Sequence, residues 1–206
     1  MSAGELLANV AITQGVFGIA LVAGAVYFAI PFSALGVGDP LLQSDLVAIG
    51  VLAGLVLWAG NEIAAGVADA AGVGYDESVR SMLTPSTSVG WLLLLGVILP
   101  TVALVEELLF RAAAIGALSA GFDVSVPLLV VASSIAFGGA HGAQGRIGAV
   151  VATTLGIVLG VVFVLTDSLL VVVVAHYLVN ALEFVVHEGI GVERPLTVVA
   201  GRRRAR

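Results

Sequence analysis

Long apolar stretches alternate along this chain with short polar breaks that carry glycine and proline. A bilayer crossing needs about 20 mostly apolar residues in helix. Six stretches fit that description, near Leu6–Ile30, Ser44–Gly66, Val89–Leu118, Val126–Gly142, Ile147–Leu165 and Ser168–His187. Turn signals separate them: Pro31 to Pro40, Gly74-Tyr75-Asp76 to Pro85, Gly121-Phe122-Asp123, Gly142 to Gly145, and Thr166-Asp167. The first stretch has no basic leader and is too long for a signal peptide, so it is expected to be a mature helix. Pro100 interrupts the third stretch and predicts a kinked or tilted helix. The expected fold class is therefore all-α: a polytopic integral membrane protein of about six transmembrane helices. Residues 1–206 form a single transmembrane domain, with no soluble domain, linker or repeat of useful size.

Small residues recur on two of these helices at the spacing of one face. Gly50 and Gly54 are four apart on the second, and Gly148, Ala152, Gly156 and Gly160 make a continuous stripe on the fifth. Such stripes let helix backbones approach closely in lipid, so a packing role explains them without catalysis.

Composition agrees with this pattern. Of 206 residues, 60% are hydrophobic and only 11% charged, with a mean hydropathy of +1.15. There is no cysteine, which excludes disulfides, thiolate metal sites and cysteine nucleophiles. All eight basic residues are arginine, a usage that suits a high-GC or salt-adapted prokaryote. The net charge of −6 and the confinement of most arginines to the C-terminus argue against a nucleic-acid partner. Arginine placement also sets orientation. With six crossings, Arg80, Arg146, Arg194, Arg202, Arg203, Arg204 and Arg206 fall on the side of both termini, which is thereby predicted to be cytoplasmic. The opposite breaks carry Asp39, Asp45, Asp123 and Asp167 and no arginine. The expected location is the plasma membrane, and Trp58, Trp91 and Tyr75 suit an interfacial aromatic belt.

Ionisable groups at bilayer depth cost about 2.5–3.5 kcal/mol on insertion scales and mark functional sites. Here they are Glu106, Glu107 and Arg111 on the third helix, His141 ending the fourth, and His176, Asn180, Glu183 and His187 on the sixth. Glu107 and Arg111 are four apart, so a salt bridge is expected. Glu106 lies about 100° round the helix and has no basic partner on it, which leaves its carboxylate for chemistry. His176, Asn180, Glu183 and His187 fall within about 60° of one another and form a polar stripe. Phe137 and His141 share a face of the fourth helix. Counting about 1.5 Å per residue, Glu106, His141, His176 and Asn180 reach depths of roughly 18, 22, 12 and 18 Å. Glu183 and His187 are expected at a solvated helix end, and Asn61, Glu62 and Asp69 at the interface.

A free carboxylate beside a neutral imidazole can hold and deprotonate a water. A second imidazole and an amide can stabilise a developing oxyanion. That set describes amide hydrolysis. Glu106, His141 and His176 could equally hold a divalent metal such as zinc that activates the water, and the residue pattern leaves both open. No HExxH occurs, so a zincin-type site is not supported. Intramembrane carboxylates and histidines also build proton relays, which makes a proton-coupled transporter the rival class. The chain has no internal repeat to support it. A non-catalytic membrane scaffold is the third class.

Three segments carry a family resemblance. Glu106-Glu107-Leu-Leu-Phe-Arg111 resembles an EExxxR motif, Phe137-Gly-Gly-Ala-His141 an FxxxH motif, and His176-Tyr-Leu-Val-Asn180 an HxxxN motif. In this order, within hydrophobic helices, the chain resembles the CPBP intramembrane proteases. That family includes the CAAX prenyl endopeptidases of the Ras-converting type and the prokaryotic Abi and lysostaphin-resistance-like proteins. The resemblance implies a catalytic core at about 89–190. It implies Glu106 as general base with His141, His176 and Asn180 at the oxyanion, and Glu107 and Arg111 as braces, with Phe137 supporting. It implies an endopeptidase of glutamate or metallo type acting on a membrane-embedded or lipid-anchored peptide, with the bilayer as its surroundings. It leaves open the metal, the substrate, whether it is prenylated, and the oligomeric state.

Overall fold

A computed structural model describes residues 3–38, 44–71 and 78–192. Arg194, the arginines from Arg202 onward, Asp39, Pro40 and Tyr75 lie outside the described residues, as does the side chain of Asp69. The described chain is helical, without strands. Its helices are α1 (Ala3–Tyr27), α2 (Ser44–Ala70), a short α3 (Ser78–Leu83), a long α4 (Ser88–Gly121), α5 (Val126–Ala140), α6 (Gly145–Thr166) and α7 (Leu169–Gly189). Five of the described helices are long and apolar enough to cross a bilayer. The protein is thus a polytopic helical membrane protein, as the apolar pattern predicts. The exception in length is α5. Its 15 residues rise about 22 Å, short of a hydrocarbon core of about 30 Å.

Pro100 does not break α4. A proline lacks an N–H and crowds the carbonyl one turn back. The helix meets both demands by widening just before it, with π-type bonding over Leu94–Ile98. The Leu99 N–H reaches back to the Leu94 carbonyl. A second widened stretch, Leu108–Ala117, begins directly after Glu106 and Glu107 and carries Arg111. The break between α6 and α7 is as tight as its sequence suggests. Asp167 takes the left-handed conformation (φ 47°) and caps α6 through its N–H to the Phe163 carbonyl.

Two apolar clusters hold the bundle. One gathers Leu35, Leu57, Ala112, Ile115, Leu159, Phe163 and Val172. The other gathers Leu7, Leu94, Ile98, Leu99, Ala181 and Phe184. Along α4, Glu106, Glu107 and Arg111 lie between them. Trp58 packs against the first cluster and Trp91 against the second. Outward faces stay apolar, as lipid requires: Ile12, Val16, Leu52, Leu92 and Val150 are all exposed.

Glycines set the helix spacing. A Cβ on Gly50 would meet the Val171 carbonyl at 2.8 Å, and one on Gly54 the Ala175 carbonyl at 2.9 Å. Both contacts are with backbone, so α2 and α7 touch main chain to main chain. On α6, Gly148, Ala152, Gly156 and Gly160 are buried, and Gly156 faces Ser134 of α5. Gly54→Val forces α2 away from α7, and the expected loss is about 1–3 kcal/mol, as for other overpacked cores. Thermal unfolding in detergent reads it as a lower melting temperature. An unchanged melting temperature would refute the close packing.

Candidate active site

Glu107 is the centre of the polar cluster. It is fully buried, and Arg111 is 1% exposed. The Arg111 Nη1–H donates to Glu107 Oε1 at 3.0 Å, across the one-turn spacing. The Arg111 Nη2–H donates to the Gly156 carbonyl at 3.3 Å. The small-residue stripe of α6 therefore does more than pack, because it brings a backbone acceptor to a buried guanidinium. The guanidinium carbon also lies 4.7 Å from the centre of the Phe137 ring, a cation–π distance.

Glu107 also reaches α7. His176 places Nδ1 2.7 Å from Glu107 Oε1. A carboxylate accepts, so Nδ1 carries the proton and Nε2 points onward. His141 is arranged in the same sense: its Nδ1–H donates to the Phe137 carbonyl at 2.8 Å. Both Nε2 atoms turn toward Glu106, whose Oε2 lies 3.7 Å from His176 Nε2 and 4.0 Å from His141 Nε2. Glu106 Oε2 is buried and has no hydrogen-bond partner among the described residues. Phe137 floors the cluster. Its ring centre lies 4.4 Å from that of His141, 5.8 Å from that of His176 and 5.1 Å from that of Phe110.

A cavity of about 490 Å³ opens onto this cluster. Glu106, Phe137, His141, His176 and Asn180 all line it. Asn180 stands one turn beyond His176 on α7. The cavity continues toward Arg80, Gln144 and Glu183, at the end of the bundle where α3 lies. Its walls include Leu7, Val10 and Gln14 of α1 and Leu57 and Asn61 of α2. The first two helices thus contribute directly to the site, although their sequences carry no motif.

Glu106, His141 and His176 are the residues that would hold a metal at this centre. A tetrahedral zinc with bonds of about 2.0–2.1 Å sets its ligand atoms roughly 3.3–3.4 Å apart. Here Glu106 Oε2 stands 3.7 Å from His176 Nε2 and 4.0 Å from His141 Nε2, both wider than that spacing.

The structure corrects the expectation of a solvated helix end at Glu183 and His187. The Asn61 Nδ2–H donates to Glu183 Oε1 at 2.8 Å. Arg80 donates from Nη1 to Glu183 Oε2 at 2.8 Å and from Nε to Glu188 Oε1 at 3.0 Å. His187 Nε2 lies 3.0 Å from Glu62 Oε1. Asn61 is 8% exposed, so it is buried within the bundle. These pairings join residues more than a hundred positions apart, beyond the reach of any single-helix pattern.

Fold and site together define a polytopic helical membrane protein with an ionisable cluster inside its bundle, opening on a cavity. Residues 88–182 match the family described as type II CAAX prenyl endopeptidase Rce1-like. That match supports a place for this segment in the CPBP/CAAX protease family. The matched family is one of CAAX-protease-like intramembrane endopeptidases, which are hydrolases. The matched segment contains all three motifs, from Glu106 to Asn180. No curated protein and no solved structure matches the chain.

Proposed function

We propose that the chain hydrolyses a peptide bond of a membrane-associated substrate, using a water activated by Glu106 and His141 without a metal at the reacting centre. The observation that carries this reading is the unpartnered Oε2 of Glu106, buried at the cavity wall and faced by two imidazole Nε2 atoms. A water between Glu106 and His141 donates one hydrogen to each and keeps a lone pair for the carbonyl carbon. Glu106 takes the proton as the oxygen–carbon bond forms. The tetrahedral intermediate then collapses. Its carbon–nitrogen bond breaks, and Glu106 returns the proton to the leaving amine. Asn180 donates to the oxyanion from its amide. His176 can donate from Nε2 when its ring carries both protons, since Nδ1–H is committed to Glu107. With such a ring, the charges of Glu106, Glu107, Arg111 and His176 sum to zero.

The substrate reaches this centre along the apolar walls of the cavity, which suit a lipid-anchored or membrane-embedded peptide. The cavity extends toward α3, which we assign to the cytoplasmic side together with both termini.

Asn180→Ala tests the oxyanion assignment. Removing one such donor lowers kcat by about 10²–10³-fold in enzymes where it has been isolated. The expected result is a fall of that order in kcat with little change in KM, measured on lipidated peptides in proteoliposomes. A rise in KM at constant kcat would instead make Asn180 a substrate-binding group and sink the assignment.

A further inference from the structure

Outside the catalytic cluster, one trio among the described residues brings histidine and carboxylate ligand atoms within 4.8 Å of one another: Glu62 on α2 with Glu183 and His187 on α7. The orientation of His187 decides what this trio is. Its Nδ1 lies 2.9 Å from the Val192 carbonyl. A carbonyl only accepts, so Nδ1 carries a proton. Nε2 then faces Glu62 Oε1 at 3.0 Å and Glu183 Oε2 at 3.9 Å. A neutral ring would oppose its Nε2 lone pair to a carboxylate at hydrogen-bond distance. Either a second ring proton or a cation between them relieves that opposition. A proton on Nε2 serves Glu62, while Glu183 Oε2, 3.9 Å away, accepts from Arg80. A cation draws on all three residues.

We propose that Glu62, Glu183 and His187 bind a first-row divalent cation, with zinc the best match, that fastens α2 to α7 at the end of the cavity. One imidazole and two carboxylates form a common ligand set for such ions. The separations of 3.0 and 3.9 Å bracket the roughly 3.3–3.4 Å between ligands of a tetrahedral zinc. The surroundings have the form that metal sites use. The ligating histidine donates its other N–H to a backbone carbonyl, here that of Val192. Glu183 is oriented by Asn61 at Oε1 and by Arg80 at Oε2. Arg80, which pairs with Glu183, also holds Glu188 beside the trio. Glu183 is seven residues past His176 on α7, about 10 Å along the helix, so this site is separate from the reacting centre. Its position beside Arg80 puts the cation at the side of the cavity nearest α3, where it limits how far α2 and α7 can part.

The test is a zinc titration of the purified, metal-stripped full chain in detergent, by calorimetry and by melting temperature. Wild type and Glu106→Ala are expected to bind one equivalent and to melt higher with zinc. His187→Ala and the near-isosteric Glu62→Gln are expected to bind at least ten-fold more weakly, with the shift lost. Absence of binding by wild type overturns the proposal and leaves His187 and Glu62 as a hydrogen-bonded pair. So does binding that neither mouth substitution weakens, and so does binding lost in Glu106→Ala but kept in His187→Ala, which would put the metal at the reacting centre. Glu62→Gln keeps the side-chain volume, so the comparison survives even if His187→Ala fails to fold.

Discussion

Glu106→Gln is expected to lower the rate of peptide cleavage by about 10²–10⁴-fold, the usual contribution of a general base. It should do so with almost no change in stability. The glutamine has nearly the same shape, and Glu106 Oε2 makes no hydrogen bond to the described residues that the amide would forfeit. The loss should appear in kcat rather than KM, because proton transfer belongs to the transition state. His141→Ala removes the second acceptor for the water and should act in the same direction. Initial rates on lipidated peptides, set beside melting curves of the same preparations, separate lost chemistry from lost fold. A Glu106→Gln protein that cleaves within a few-fold of wild type would exclude the carboxylate as the base.

Arg111→Ala should have the largest effect on stability, a loss of about 3–5 kcal/mol. That is the usual cost of removing one partner of a buried ion pair. Glu107 is fully buried, and its Oε1 would keep only the His176 contact. The Gly156 carbonyl would lose its guanidinium donor and Phe137 its cation. Replacing both charges, as Glu107→Gln with Arg111→Met, should cost less than the two single changes added together. Contacting residues couple by about 0.5–3 kcal/mol, and denaturant titration of the four proteins in detergent measures that coupling. Simple additivity would mean that the pair does not act as a unit. The double variant should still be inactive, because His176 would no longer be held by a carboxylate.

The sequence made some of this layout plain and hid the rest. Apolar stretches and turn residues marked the helices because lipid imposes one composition on whatever faces it. The Glu107–Arg111 bridge was visible because it lies within one helix, at one-turn spacing. The stripe from Gly148 to Gly160 was visible for the same reason, although its service to Arg111 through the Gly156 carbonyl was not. What stayed hidden depends on how separate helices are rotated about their axes. The sharing of Glu107 between Arg111 and His176 joins α4 to α7, and nothing local to either helix announces it. Phe110 carries no periodic signal, yet its ring packs on Phe137 beside both histidines. Arg80 looked like a topology marker, but it folds back onto Glu183 and Glu188. Leu7, Leu57 and Asn61 sit in helices without a motif and still wall the cavity, because a bundle closes its site with whatever surfaces meet there.

Mass spectrometry of peptide fragments released in proteoliposomes tests the proposed chemistry most directly. The purified chain is incubated with a library of lipidated and membrane-embedded peptides, with Glu106→Gln in parallel. Fragments ending at a defined bond, formed by the wild type and at least a hundred-fold more slowly by Glu106→Gln, are the expected result. No cleavage by a folded wild type, or equal cleavage by the two proteins, would contradict hydrolysis at Glu106.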